Sequence, residues 1–433
     1  MFAVISEMFS YSFLVRAVVV GALVSICAAL LGVSLVLKRY SMIGSGLSNV
    51  GFGSLALATA LNAAPLTVAI PVVIAAAFLL LRLSENSKIK GDAAVALIST
   101  SSLAVGVIII SQTTGMNTDV CNYLFGSILA MSRIDVYLSV VLSIVVLILF
   151  VLFYNKLFAI TFDETFAKTT GIKTGLYNML IALLTALTIV LGMRMMGAML
   201  ISSLIIFPAL SSMRILKKFK SVTVCSAAIS IVCFFIGVVV SYLYATPTGA
   251  SVVLINIIVF AVFWLAAVLF NSTVKNKGGD IVNKSIKIAV MVMLFSSFFM
   301  MSCAAKDGAH ESGIIEIREK LFMSQIYDIY LNNSDYLGKT IRLEGIFISD
   351  RLADEPAYLV IRYGPGCCGD DDGIFGFYVK WSSDHATPFP ANDSWVEATG
   401  VLRVNAGVNF KYLYLDLSEL TVLPTRGAEI VSQ

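Results

Sequence analysis

From residue 12 to residue 303 the chain is written in long apolar runs, separated by short stretches in which Lys and Arg collect; beyond residue 313 the apolar runs shorten and alternate with polar positions. A bilayer core of about 30 Å is crossed by about 20 helical residues. Runs of that class fall at 12–37, 42–61, 65–82, 93–112, 134–154, 174–193, 196–213, 221–244, 248–270 and 288–303. They predict a polytopic α-helical membrane protein of about nine to ten spans, the second and seventh set apart by glycine or proline and many small residues. Residues 314–331 carry apolar positions at helical spacing, with Ile317, Leu321, Ile326 and Ile329 on one face. Five strand-like runs follow at 340–348, 358–363, 375–381, 395–404 and 411–417, bounded by turn residues. Five strands and one helix predict a small β-barrel of the OB type. The expected organisation is a membrane domain over 1–274, a linker with a last hydrophobic segment over 275–303, and a barrel domain over 304–433.

Composition agrees with lipid as the main solvent. Mean hydropathy is +0.90 and charged residues make up 13% of the chain, against roughly 25% in a soluble domain, which excludes a wholly water-soluble protein. Charge separates the two halves: residues 1–287 hold 19 Lys and Arg against 8 Asp and Glu, whereas residues 288–433 hold 11 against 19. Cytoplasmic loops hold Lys and Arg in excess. With the N-terminus outside, 16 of the 19 basic residues before 288 fall on the cytoplasmic side and only Arg16, Arg133 and Arg194 lie near the other face. This frame predicts a multi-pass protein of a bacterial plasma (inner) membrane with its acidic C-terminal domain extracytoplasmic, and no nucleic-acid partner. Residues 275–303 also have the form of a lipoprotein signal, a Lys-containing stretch and an apolar run ending at Cys303. Lipidation at Cys303 and an ordinary final helix with an unmodified cysteine both fit.

Ionisable groups are absent from the centres of the spans, so the candidate chemistry there rests on small polar residues. Gly44, Ser45, Gly46, Ser48, Asn49, Gly51, Gly53 and Ser54 make the second span either a close-packing helix or a pore-lining one. Pro208 interrupts the seventh span and frees one carbonyl. Between the fifth and sixth spans, residues 162–171 have the marks of a short helix. Asp163 and Glu164 suit its N-terminus, Phe166 and Ala167 supply an apolar face, and Gly171 suits its stop. No G-x-x-x-x-G-K-[ST] phosphate loop occurs, so ATP binding of that kind must come from another chain. No nucleophile and base pair points to an enzyme.

An ordered series of motifs carries a resemblance. Lys88-Ile89-Lys90-Gly91-Asp92, Ser101 to Gly106, Asp119 and Tyr123-Leu124-Phe125-Gly126 are followed by Phe162-Asp163 through Ala167 to Gly171. Then come Gly197-Ala198-Met199-Leu200, Phe207-Pro208-Ala209, Ser241-Tyr242 and Pro247-Thr248-Gly249-Ala250. Over about residues 10–270 the chain resembles the membrane permease of zinc, manganese and iron ABC importers. The resemblance implies that Phe162, Asp163, Ala167 and Gly171 belong to a coupling helix that docks on a separate ATPase subunit. It also implies a second permease subunit, as a homodimer, and an extracytoplasmic solute-binding protein. Permeases of this family carry Asp and His in the second span; Ser45 and Asn49 stand at those positions of the translocation path. Neutral oxygens are poor Zn²⁺ ligands beside carboxylate, imidazole or thiolate. Cys27, Cys121, Met42, Met116 and the group Met193, Met195, Met196 and Met199 supply softer donors, although methionine commonly serves packing alone.

In the acidic half, Gly364-Pro365-Gly366-Cys367-Cys368-Gly369-Asp370-Asp371-Asp372-Gly373 joins two expected strands. The two thiolates with Asp370 and a further ligand such as His385 or His310 fit a Zn²⁺ site. A vicinal disulfide, a solvated acidic loop and a Ca²⁺ loop are the alternatives. The tail over about 335–420 resembles the outer domain of bacterial membrane permeases associated with zinc homeostasis. That likeness is carried by Tyr336-Leu337-Gly338-Lys339, Leu343-Glu344-Gly345-Ile346, the cysteine pair, and the stretch from Asp393 to Leu402. The expected function is therefore the permease subunit of an ATP-driven importer for a divalent transition metal, zinc above others. No cofactor is expected on the permease half, and Zn²⁺ is expected on the outer domain. The alternative is a degenerate scaffold, or an importer of another solute, with an outer interaction module.

Overall fold

The computed structural model describes residues 11–61, 63, 65–86, 91–112, 133–244, 246–274, 314–352, 355–364, 373–381, 389–406 and 411–431. They form two compact units, one helical and one built around strands.

The helical unit contains α1 (Ser12–Leu37), α2 (Ile43–Ala60), α3 (Pro65–Asn86), α4 (Gly91–Gln112), α5 (Arg133–Leu152), α6 (Tyr154–Phe162) and α7 (Glu164–Thr169). It continues with α8 (Thr174–Met196), α9 (Ala198–Ile215), α10 (Phe219–Tyr244) and α11 (Thr248–Val274). Seven of the described helices are long and apolar enough to cross a membrane. The expected second and seventh spans are also helices. Gly, Ser and Asn dilute α2, and the apolar stretch of α9 runs only over Leu200–Ile215. The expected span at 288–303 lies outside the described residues. The fifth run proves to be two elements, because the chain turns at Phe153 and starts α6. Pro208 does not interrupt α9, which continues through it.

Enclosure separates centre from periphery. About 67% of α1 and 72% of α8 are buried within the unit, against 22% of α4, α5 and α11. Small residues bring the central helices together: Gly32 of α1 lies directly against the Ile205 carbonyl of α9, leaving no room for a side chain. Hydroxyls bond between helices as well, Ser230 of α10 donating to the Ser25 carbonyl of α1 at 3.0 Å.

The second unit contains β1 (Ile314–Ile317), α12 (Phe322–Leu331), β2 (Thr340–Leu352), β3 (Glu355–Gly364), β4 (Gly373–Trp381), β5 (Ser394–Ala406) and β6 (Lys411–Val422). Strands β2, β3, β4, β6 and β5 pair in that order and β5 returns to β2, closing a five-stranded barrel. All pairings in the ring are antiparallel except β4 with β6. Alternating residues fill the interior, among them Leu343, Phe347, Val360, Phe377 and Leu415, and α12 adds Phe322, Ile326 and Ile329 to the same core.

The expected helix at 314–331 is corrected at its start. Ile314–Ile317 is a strand, parallel to the beginning of β2 with Ile314 opposite Thr340. Three isoleucines in four residues favour a pleated backbone, and a neighbouring strand was there to receive them. Ile317, Leu321, Ile326 and Ile329 are nevertheless all buried.

Candidate functional site

The glycines of α2 fix its surroundings. A methyl group on Gly46 would stand 2.5 Å from Val95 Cγ1, and one on Gly53 2.6 Å from the Ser102 carbonyl oxygen, so α2 and α4 touch nearly backbone to backbone. Gly51 faces the buried thioether of Met193 on α8 in the same manner. Within this clasp, Asn49 is half-buried and its Nδ2 donates to Ser99 Oγ on α4 at 2.7 Å. Ser48 Oγ donates to the Ser45 carbonyl at 2.8 Å, while Ser45 itself is exposed. Close packing against α4 thus takes in the side of α2 that carries Gly46, Asn49 and Gly53, while the Ser45 hydroxyl is exposed; the segment offers neutral hydroxyl and amide groups. These can hydrogen-bond a hydrated cargo, but they supply no anionic charge to a bare cation. Among the described residues no group of three or more His, Cys, Asp or Glu side chains is placed to hold a metal ion.

The loop between α6 and α8 is the second candidate site. Asp163 caps α7, its carboxylate accepting from the Phe166 backbone N–H at 2.9 Å. Ala167 is fully buried against Ile160 and Tyr177. One turn of helix is thereby seated on α6 and α8, with Phe162 and Phe166 left outward at 58% and 63% exposure. Gly171 ends the turn at φ +83°, a left-handed conformation that costs glycine little. Phe158, Phe162 and Phe219 form a ring cluster with centroids 4.9 to 5.8 Å apart, joining α6 to the start of α10. Glu164 pairs with Lys168 at 3.3 Å. Partial burial pushes its carboxyl up, yet hydrogen bonds from Lys168 and Asn178 and the charges of Lys38 and Lys168 bring it below the ordinary glutamate range on balance.

In the barrel, Arg362 is 2% exposed. Its guanidinium lies between the rings of Phe322 and Trp395, 5.0 and 4.8 Å from their centroids. It reaches Glu319 at 3.3 Å and Glu344 at 3.7 Å and donates to the carbonyls of Glu344 and Ala428. Burial pulls its pKa down and the two carboxylates partly restore it. This is a structural pin that ties the C-terminal segment to β3.

The structure therefore brings Ser45 and Asn49 onto one helix, and Phe162, Asp163, Ala167 and Gly171 into one capped turn. Cys303, Cys367, Cys368, Asp370 and His385 lie outside the described residues. Sequence reasoning passed over Ser99, Lys38, Asn178 and Arg362. Asn178 gave a faint signal as a lone amide in the second turn of an apolar span; Arg362 gave one as a cation inside an alternating strand.

Comparison with known proteins follows the same division. Residues 10–270 match the model of the ABC 3 transport family, and residues 296–425 match the DUF1980 C-terminal domain. A protein of Thermotoga maritima described as a "probable metal transport system membrane protein" is 33% identical over 59% of this chain and 90% of its own length. The high-affinity zinc uptake system membrane protein of Haemophilus influenzae is 28% identical over 58% of this chain and 96% of its own. Further relatives are described as membrane proteins of manganese and chelated iron transport systems. The solved structure of PsaBC from Streptococcus pneumoniae in complex with Fab superposes with a TM-score of 0.56 at 28% identity, over 61% of this chain and 95% of that one. With a family model spanning well over half its length, the chain belongs to the ABC 3 transport family.

Proposed function

We propose that this chain is the membrane permease subunit of an ATP-driven importer whose cargo is a divalent transition metal, zinc before manganese and iron. Membership of the ABC 3 transport family carries the class. The capped turn at Asp163, seated by Ala167 and outwardly aromatic at Phe162 and Phe166, supports a docking element for a separate ATPase. Phe162, Asp163, Ala167 and Gly171 are then the coupling residues, and Ser45 and Asn49 line the path. Two copies of the chain would enclose that path in a bacterial plasma membrane, fed from outside by a solute-binding protein. The barrel domain would be extracytoplasmic, with Cys367, Cys368, Asp370 and His385 holding Zn²⁺ near the entrance and Cys303 as the point of lipid attachment. The choice of zinc rests on this thiolate-rich set, since Ser45 and Asn49 offer only neutral oxygens.

Reconstitution with the cognate ATPase and binding protein tests the reading. ATP-dependent uptake of Zn²⁺ exceeding that of Mn²⁺ and Fe²⁺ is expected, lowered several-fold by Asn49→Ala. Uptake of no divalent metal would overturn it in favour of a scaffold or of another solute. Zinc titration of the full chain against a Cys367→Ser, Cys368→Ser variant separately tests the outer site, which equal affinity in both proteins would remove.

A further inference from the structure

The coupling turn is wired to the path helix by three polar side chains from three different elements. Glu164, in the first turn of α7, accepts a hydrogen bond from the side chain of Asn178, in the second turn of α8. On its other side the same amide accepts from Lys38: Lys38 Nζ donates to Asn178 Oδ1 at 2.5 Å across 140 residues of sequence. A single carboxamide thus stands between an acid and a base, donating to one and accepting from the other, and this fixes its orientation. Asn178 is only 6% exposed. Hydrogen bonds to charged groups gain strength where water is excluded, which holds at the amide, while Lys38 is half-buried and the Glu164 side chain is 39% exposed.

Lys38 is the C-cap of α1. Beyond it the chain makes a tight turn in which the Tyr40 N–H donates to the Leu35 carbonyl at 2.8 Å, Ile43 to Tyr40 at 3.0 Å and Gly46 to Met42 at 3.0 Å. Arg39 stands in the turn at φ +61°. The third of these bonds is already inside α2, one residue past Ser45. No slack segment intervenes between Lys38 and the Ser45–Asn49 stretch, and none intervenes between Glu164 and the seat of Ala167.

We propose that Glu164, Asn178 and Lys38 form the link through which displacement of α7 reaches α2 and resets the Ser45–Asn49 segment. Glu164 and Lys38 are positioning residues in this scheme: neither touches the cargo, Glu164 acts on Lys38 through Asn178, and Lys38 acts on α2 through the turn that follows it. The inference rests on the permease reading, because it presumes that α7 is where the ATPase pushes. A purely structural ion pair would use the same atoms, so the test must read the coupling between sites rather than stability.

Two measurements on the complex with ATPase and binding protein do so. The first is metal taken up per ATP hydrolysed in proteoliposomes. Asn178→Leu and Lys38→Met are expected to lower this ratio about five- to tenfold, the lower end of an ordinary coupling energy, with the ATPase still bound and hydrolysing. Lys38→Arg, which keeps a donor and the charge, is expected to restore most of it. The second needs no cargo: maleimide labelling at Ser45→Cys, read by mass spectrometry of that peptide with and without ATP. ATP is expected to change the labelling rate in the parent and to leave it unchanged with Asn178→Leu added.

An unaltered ratio together with an unaltered ATP response in both link variants overturns the proposal. Absence of uptake in the parent, with its ATP-dependent labelling retained and abolished by Asn178→Leu, would sink the assigned cargo while upholding the link. Should Asn178→Leu fail to fold, Lys38→Met against Lys38→Arg carries the same comparison from the other end.

Discussion

Single side chains in the barrel domain are held by environments that can be titrated. Tyr330 of α12 stacks on Phe377 with ring centroids 5.4 Å apart and donates its hydroxyl to the Gly376 carbonyl at 3.0 Å. The side chain as a whole is 42% exposed, but desolvation of its hydroxyl against the Gly376 carbonyl, with a smaller contribution from Tyr378, pushes its pKa up to about 12. A raised pKa means that the folded state holds the proton more tightly than the unfolded one. The contribution to stability is therefore complete below the ordinary phenol pKa near 10; it declines as pH rises from there through about 12. Denaturant melts of the full chain followed by barrel tryptophan fluorescence should show the midpoint of this domain falling over that alkaline window, and Tyr330→Phe should flatten the fall. A midpoint insensitive to pH in the parent would contradict the sheltered hydroxyl.

At the scale of elements, most boundaries were legible. Runs of about 20 apolar residues leave few alternatives to a helix in lipid, and α1, α4 and α10 begin and end within two residues of the expected limits. Alternation found all five strands of the barrel, because one face of each must be buried, but it ended β2 at 348 rather than 352 and β6 at 417 rather than 422 and started β3 at 358 rather than 355. Ile314–Ile317 was misread because three isoleucines in four residues fit either period, and its partner lies well downstream at Thr340. Pairings resisted reading for the same reason. Asn49 and Ser99 are 50 residues apart, and nothing local announces that one will meet the other. The glycines of α2 were recognised as ambiguous between packing and lining; the contacts with Val95 and Ser102 assign packing to that face. Gly53→Val should therefore push α2 from α4, costing about 1–3 kcal/mol as overpacking, and lower the thermal midpoint in detergent. Gly175→Val, where a side chain would meet nothing within 4 Å, is the matched control, and equal midpoints for the two variants would show that the α2–α4 contact is loose.

For the molecule as a whole, charge is the organising variable. The basic residues of the helical half mark one side of the membrane, and the acidic excess beyond residue 288 is expected on the other. Protease added to the outside of intact spheroplasts should remove the barrel domain while leaving a fragment of the helical half protected. Protection of both halves would reverse the assigned orientation. The cysteine pair was conspicuous in the sequence, where a Zn²⁺ site, a vicinal disulfide, a solvated acidic loop and a Ca²⁺ loop all fit it, and it lies outside the described residues. Ser45, Asn49 and the turn from Phe162 to Gly171 were legible only through the ordered motifs; Ser99, Lys38 and Asn178 were not, because Ser, Asn and Lys acquire meaning only from neighbours that folding supplies.

The closeness of α1 to α9 carries a mechanical implication. With Gly32 against the Ile205 carbonyl, the two backbones cannot slide along one another without the next side chains colliding, and interiors packed to this density respond to force as solids. The pair is therefore expected to serve as a fulcrum rather than a gate. Any opening and closing of the route must be a rotation about this contact or a bend beyond it, so a probe fixed on α1 beside Gly32 should keep a constant distance from one beside Ile205 through the whole cycle.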